Sequence, residues 1–178
     1  PYSPPDDLRL GFDVAIAQGV VLAGAPETTG RLGAAYLWHK HSSGMWRQRI
    51  SPVRTSEAGS FYGHGVSLNA THFYVGSPNT SNATGEVSGH VISNGNEVAN
   101  AFGVFSVEGG LLGSRIAVSD ALIAVSAPGY SLYSSNGVGM TPTGAVFVRG
   151  LDGSGKATTP APATFTPSAS DAERYVAR

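Results

Sequence analysis

Large apolar residues alternate with small ones in three short stretches of the chain: Val14-Ala15-Ile16, Val66-Ser67-Leu68 and Ile116-Ala117-Val118. A period of two predicts β-strands, and no stretch carries helical periodicity. A small polar turn follows each: Ala17-Gln18-Gly19, Asn69-Ala70-Thr71 and Ser119-Asp120-Ala121. Beyond each turn runs a nearly continuous apolar segment, VVLAG, HFYVG or LIAVS. A strand apolar on both sides is covered on both sides. Ala-Pro or Ser-Pro ends each run, because proline cannot donate to a ladder. A Gly-led third strand comes next: GAAYLW from Gly33, GHVIS from Gly89 and GAVFV from Gly144. The pattern therefore predicts strands over residues 12–17, 20–25, 33–38, 62–68, 72–77, 88–93, 114–118, 122–127 and 144–149. Weaker fourth strands are expected over 44–50, 100–105 and 163–166.

The three stretches are one unit repeated. Residues 10–26, 62–78 and 112–128 align without a gap, with Gly11, Gly63 and Gly113 sharing one position and Pro26, Pro78 and Pro128 another. A period of about 50 residues lies in the range of propeller blades. The chain then reads as one region, 1–178, with repeats over about 8–56, 57–108 and 109–168 and the start of a further unit over 169–178, where Arg174-Tyr175-Val176-Ala177 resembles a first strand.

Composition agrees with short strands joined by many turns. Gly is 24 of 178 residues, about twice the usual ~7%, and there are 11 Pro. Charged residues are 13%, and 11 Lys+Arg against 12 Asp+Glu leave a formal net charge of −1. That balance argues against a nucleic-acid surface and against a polybasic membrane anchor. No apolar run is long enough to span a bilayer as a helix. Cysteine is absent, which removes disulfides, thiolate metal sites and cysteine nucleophiles. The opening PYSPPDD shows no signal-peptide pattern and reads as a mature or trimmed end.

The paired motifs, Gly11-Phe12 with Gly24-Ala25-Pro26, Tyr62-Gly63 with Gly76-Ser77-Pro78, and Leu112-Gly113 with Ser126-Ala127-Pro128, resemble FG-GAP repeats, the blades of the integrin alpha-subunit propeller. The resemblance covers roughly residues 8–178. It implies an all-β fold: a partial β-propeller of about three four-stranded blades, an arc of a larger ring of seven. It also implies a non-catalytic, adhesion-type module, extracellular or at the cell surface, whose loops on one face bind a partner protein. Blades missing from the arc are expected from a longer polypeptide, another chain or an oligomer. The alternatives are a structural building block of a large assembly and, less so, an enzyme with an axial pocket. The first strands offer that pocket only Asp13, Ser67 and Arg115.

Many members of the family bind calcium between first and second strands. An oxygen-only site needs about six to eight ligands, and the three turns here hold one carboxylate, Asp120. No metal or other cofactor is expected. His39 and His41 share a strand face but lack a visible third ligand, and His64, His72 and His90 fall at unlike positions. Neither a nucleophile elbow nor a facing carboxylate pair is apparent. Asn69, Asn79 and Asn82 open glycosylation sequons. The 129–143 loop carries Tyr130 and Tyr133 among Ser, Gly and Asn, a mix suited to protein contacts, and these two are the expected binding residues.

Overall fold

A computed structural model of the chain describes residues 9–48, 57–98, 101–102, 109–133, 140–158 and 163–166. The described chain is all-β, built on three four-stranded antiparallel sheets. In the first, β1 (Val14–Ala17), β2 (Val20–Ala25), β3 (Ala34–Lys40) and β4 (Trp46–Gln48) pair in chain order. The second repeats this with β5 (Gly65–Leu68), β6 (His72–Ser77), β7 (Glu86–Val91) and β8 (Glu97–Val98). The third uses β9 (Ile116–Val118), β10 (Leu122–Ala127), β13 (Ala145–Gly150) and β14 (Ala163–Phe165). Between β10 and β13 a hairpin forms, β11 (Ser131–Tyr133) on β12 (Met140–Pro142). Single turns, α1 (Thr28–Arg31) and α2 (Thr80–Ala83), lie between second and third strands of the first two sheets.

The nine expected strands form with ends that coincide with the predicted ones or differ by at most three residues. The fourth strand of the second unit does not lie where the pattern put it. The Asn94 carboxamide accepts the Asn96 N–H, and the Val91 N–H reaches the Asn96 carbonyl. This tight turn sends the chain back at once, so β8 forms at Glu97–Val98. Ala101 and Phe102 are then free to enter the core. Residues 103–108 lie outside the described ones.

Equivalent registers give each sheet two unlike faces. In the first sheet Val14 and Ile16 share one face with Val21, Ala23 and Tyr36, while Ala15 shares the other with Leu22 and Leu37. The sheets stack in a fixed order. The Leu22/Leu37 face of the first meets the face of the second that carries Val66, Leu68, Phe73 and Val75. The opposite face of the second, with Tyr74 and Val87, meets Ile116, Ile123, Val125 and Phe147 of the third. Each such large side chain contributes about 1.5–3 kcal/mol when fully buried. First strands are neighbours across the stack, β5 lying beside β1 and β9.

Polar ties fix the order. The Val66 N–H donates to Asp13 Oδ2 at 2.9 Å, the Val118 N–H to Ser67 Oγ at 3.1 Å, and Asn69 Nδ2 to the Ser119 carbonyl at 3.2 Å. All three link neighbouring sheets. The close approach requires glycine. Gly63 has φ +93°, and a Cβ there would strike the Ala34 carbonyl and the Gly24–Ala25 backbone. Gly113 sits the same way against Glu86, Gly76 and Ser77. Among the described residues no helix is long and apolar enough to cross a membrane.

Candidate functional site

One end of the stack gathers the segments that precede the first strands and follow the second strands. There the backbone is held in an unusual form three times over. Arg9, Phe61 and Leu111, equivalent in the repeat, have φ of 67°, 56° and 55°. An L-residue in that region costs roughly 1–2 kcal/mol. All three line one cleft of about 340 Å³, together with the strand-ending Pro26 and Pro78, their successors Glu27 and Asn79, and the equivalent pair His64 and Ser114. Every unit thus contributes to the same cavity from matching positions.

The polar groups of the cleft are tied to one another. Arg9 Nη1 donates to Glu27 Oε1 at 2.7 Å. The His64 ring lies 3.1 Å through Nδ1 from the Ser114 carbonyl. A carbonyl only accepts, so Nδ1 carries the hydrogen and Nε2 is left as an acceptor. Burial holds His64 below the usual imidazole range, against the pull of that carbonyl bond and helped by the nearby Arg115 cation. Asn79 Nδ2 donates to the Gly59 carbonyl at 2.7 Å. Behind the cleft, Phe12 stacks tilted on His64 at 4.6 Å, and the Arg9 and Arg115 guanidinium groups lie 4.5 and 5.4 Å from its ring centre. Arg31 lies 5.8 Å from the Phe61 ring centre. The result is a half-polar, aromatic-backed groove that offers one ring nitrogen, an ion pair and a carboxamide.

The expected site residues fall in different places. Tyr130 sits between β10 and β11 at the same end of its sheet, but its ring is half-buried and packs edge-on against Phe147 at 5.5 Å. It belongs to the third sheet's core as much as to the surface. Tyr133 pairs with Met140 across the hairpin, its side chain and residues 134–139 lying outside the described ones. Asn69 is buried: Nδ2 crosses to the next sheet, and Oδ1 accepts the Thr71 and His72 N–H groups. That carboxamide caps a turn and has no room for a glycan in the folded chain. Asn79 and Asn82 are exposed, and Asn82 stands in a left-handed turn with Ser81 and Ala83.

Of the candidate catalytic or metal residues, Asp13, Ser67 and Arg115 serve as ties between sheets, Arg115 Nη1 donating to the His64 carbonyl at 3.0 Å. His41 Nδ1 lies 3.0 Å from Ser43 Oγ, and among the described residues no three His, Asp or Glu side chains are grouped to hold a metal. His72 Nδ1 lies 2.8 Å from Thr71 Oγ1. His90 joins a buried chain that the pattern did not foretell. Its Nδ1 faces the Gly95 carbonyl at 3.3 Å, so Nε2 accepts from Tyr62 Oη at 2.7 Å, and Ser88 Oγ donates to that same hydroxyl at 3.1 Å. Burial raises the Tyr62 pKa and lowers that of His90.

No family model matches the chain, and no curated protein matches it.

Proposed function

We propose that the chain is a non-catalytic, adhesion-type interaction module. Its three sheets are consecutive blades of a β-propeller resembling those of FG-GAP repeat proteins, and the cleft end of the stack is the face it offers to a partner protein outside the cell or at its surface. The observation that carries this reading is the convergence of Arg9, Phe61 and Leu111, one strained residue from each unit, on a single groove. Backbone strain persists where the surroundings over-determine it, and it gathers at ligand clamps and other working sites. The blade reading is supported by the fixed face-to-face order and the neighbouring first strands. The axial-enzyme alternative loses its candidates, since Asp13, Ser67 and Arg115 are engaged in holding sheets together.

The test uses peptides selected from a random displayed library on the immobilised chain. Their binding is expected to fall about tenfold or more on His64→Ala or Phe61→Ala, the range for a residue that matters in an interface, and to survive Lys40→Ala. Selected peptides indifferent to both cleft substitutions would remove the cleft from the account.

A further inference from the structure

The neutral polar side chains of the cleft turn their hydrogens toward backbone carbonyls. His64 Nδ1 faces the Ser114 carbonyl at 3.1 Å, Asn79 Nδ2 the Gly59 carbonyl at 2.7 Å, and Ser114 Oγ the Leu111 carbonyl at 2.7 Å. A carbonyl only accepts, so each contact fixes which atom carries the hydrogen. Beyond the second Asn79 N–H and the Arg9 guanidinium, what the cleft offers is acceptors. Among the described residues neither His64 Nε2 nor Asn79 Oδ1 has a hydrogen-bond partner. The nearby charges disfavour a cation as the donor. The His64 ring feels two guanidinium groups, Arg115 and Arg9, against one carboxylate, Asp13. Asp13 already accepts the Val66 and Val14 N–H groups, and Glu27 is paired with Arg9. The rest of the wall is apolar, from Pro26, Phe61, Pro78 and Leu111. A cavity of about 150 Å³ is enough for benzene, so the cleft, at about 340 Å³, holds one aromatic side chain and part of the backbone that carries it.

We propose that the cleft takes the side chain of a tyrosine on the partner protein, its hydroxyl donating to His64 Nε2 and its ring lying among Pro26, Phe61, Pro78 and Leu111. Phenylalanine would fill the same space but brings no donor. A lysine ammonium brings donors but meets Arg9 and Arg115. An indole N–H donates and cannot accept, whereas a phenolic oxygen also accepts the N–H that Asn79 or Arg9 has left. A tyrosine hydroxyl regularly finds a partner when it is buried, and tyrosine is enriched at interface hot spots. The inference rests on the reading of the cleft as the interaction face and names what that face holds. His64 then sets the specificity, because a second proton on its ring would turn Nε2 from acceptor to donor.

Titration of the full chain with N-acetyl-tyrosinamide, N-acetyl-phenylalaninamide and N-acetyl-lysinamide, followed through the ring resonances of His64, tests this. The tyrosine amide is expected to shift those resonances and to bind about 2- to 10-fold more tightly than the phenylalanine amide, the worth of one net hydrogen bond. The lysine amide is expected to bind more weakly than either. Burial keeps His64 neutral to lower pH than a free imidazole. The affinity of the tyrosine amide is expected to fall as pH drops through the value at which the His64 resonances titrate, and that of the phenylalanine amide to stay level. His64→Phe, which keeps a ring without an acceptor, is expected to bind the two aromatic amides equally. Equal affinity of those two for the wild-type chain, tighter binding of the lysine amide, or His64 resonances unmoved by the tyrosine amide would each overturn the proposal. So would a tyrosine affinity that holds or rises in acid, or a tyrosine preference that survives His64→Phe. Displayed peptides that need Phe61 yet carry no tyrosine would overturn it while leaving the cleft as the interaction face.

Discussion

Replacing Gly63 and Gly11 separately by alanine measures how tightly the sheets approach. Both glycines have positive φ, +93° and +85°, so both alanine variants carry a similar backbone penalty of about 1–2 kcal/mol. Only Gly63 faces a neighbour. Its new methyl would collide with the Ala34 carbonyl and reach the Ala25 nitrogen and Gly24 Cα at 3.0 and 3.2 Å. These are backbone atoms in paired strands and cannot swing aside. The first and second sheets must part or the β5 entrance must shift, an overpacking cost of about 1–3 kcal/mol. Gly63→Ala is thus expected to destabilise by about 2–5 kcal/mol in all and Gly11→Ala by about 1–2 kcal/mol. Equilibrium urea unfolding followed by tyrosine and tryptophan fluorescence reads the difference. Equal losses at the two positions would refute the claim that Gly63 is required by sheet contact rather than by its own φ.

Tyr62→Phe removes the hydroxyl that His90 Nε2 and Ser88 Oγ share in the core and is expected to cost about 1–3 kcal/mol, the range for stranding a buried polar group; an unchanged unfolding midpoint would contradict it. His90 and His64 have folded-state pKa values lowered by burial. Between those values and the unfolded value of about 6.5 the unfolded chain binds the protons and the folded chain does not. Stability is therefore expected to fall as pH drops below about 6.5, with a shallower slope in His90→Asn; a stability that rises as pH drops would be the wrong sign. Tyr130→Ala loses an edge-on ring pair with Phe147, worth about 0.5–1.5 kcal/mol beyond its burial, so it is expected to lower the melting temperature, and a variant as stable as wild type would return Tyr130 to the free surface.

How far the sequence could be followed depended on what set each element. Strands whose two faces are both covered, such as Val20–Ala25 and His72–Ser77, announce themselves by continuous apolar runs, and the equivalent glycines and prolines fix their ends. β8 has only two residues and is set by an Asx turn at Asn94, a local bond that competes with periodicity and leaves no trace in it. The hairpin strands within residues 129–143 have three residues each, Ser131–Tyr133 and Met140–Pro142, too few to show an alternation. The candidate cleft was hidden for a different reason. Arg9, Phe61 and Leu111 share a backbone angle but no side-chain chemistry, and only their place two residues before Gly11, Gly63 and Gly113 marks the position. Likewise Tyr62, ahead of β5, and His90, on β7, are 28 residues apart, and no spacing rule connects them. Tyr130 is aromatic in a polar loop, which suits a binding residue, but a ring of that kind is as well suited to filling the third sheet's core.

The face-to-face order of the sheets is the claim on which the cleft and the ties between sheets rest. The chain has no cysteine, so a single introduced pair reports one contact cleanly. Ser67 Oγ lies 3.1 Å from the Val118 nitrogen across the second and third sheets, whereas Ala15 belongs to the first sheet, with the second sheet between it and Val118. Ser67→Cys with Val118→Cys should cross-link on mild oxidation of the monomer, and Ala15→Cys with Val118→Cys should not. Cross-linking of the second pair as fast as the first, or of neither, would contradict the stacking order.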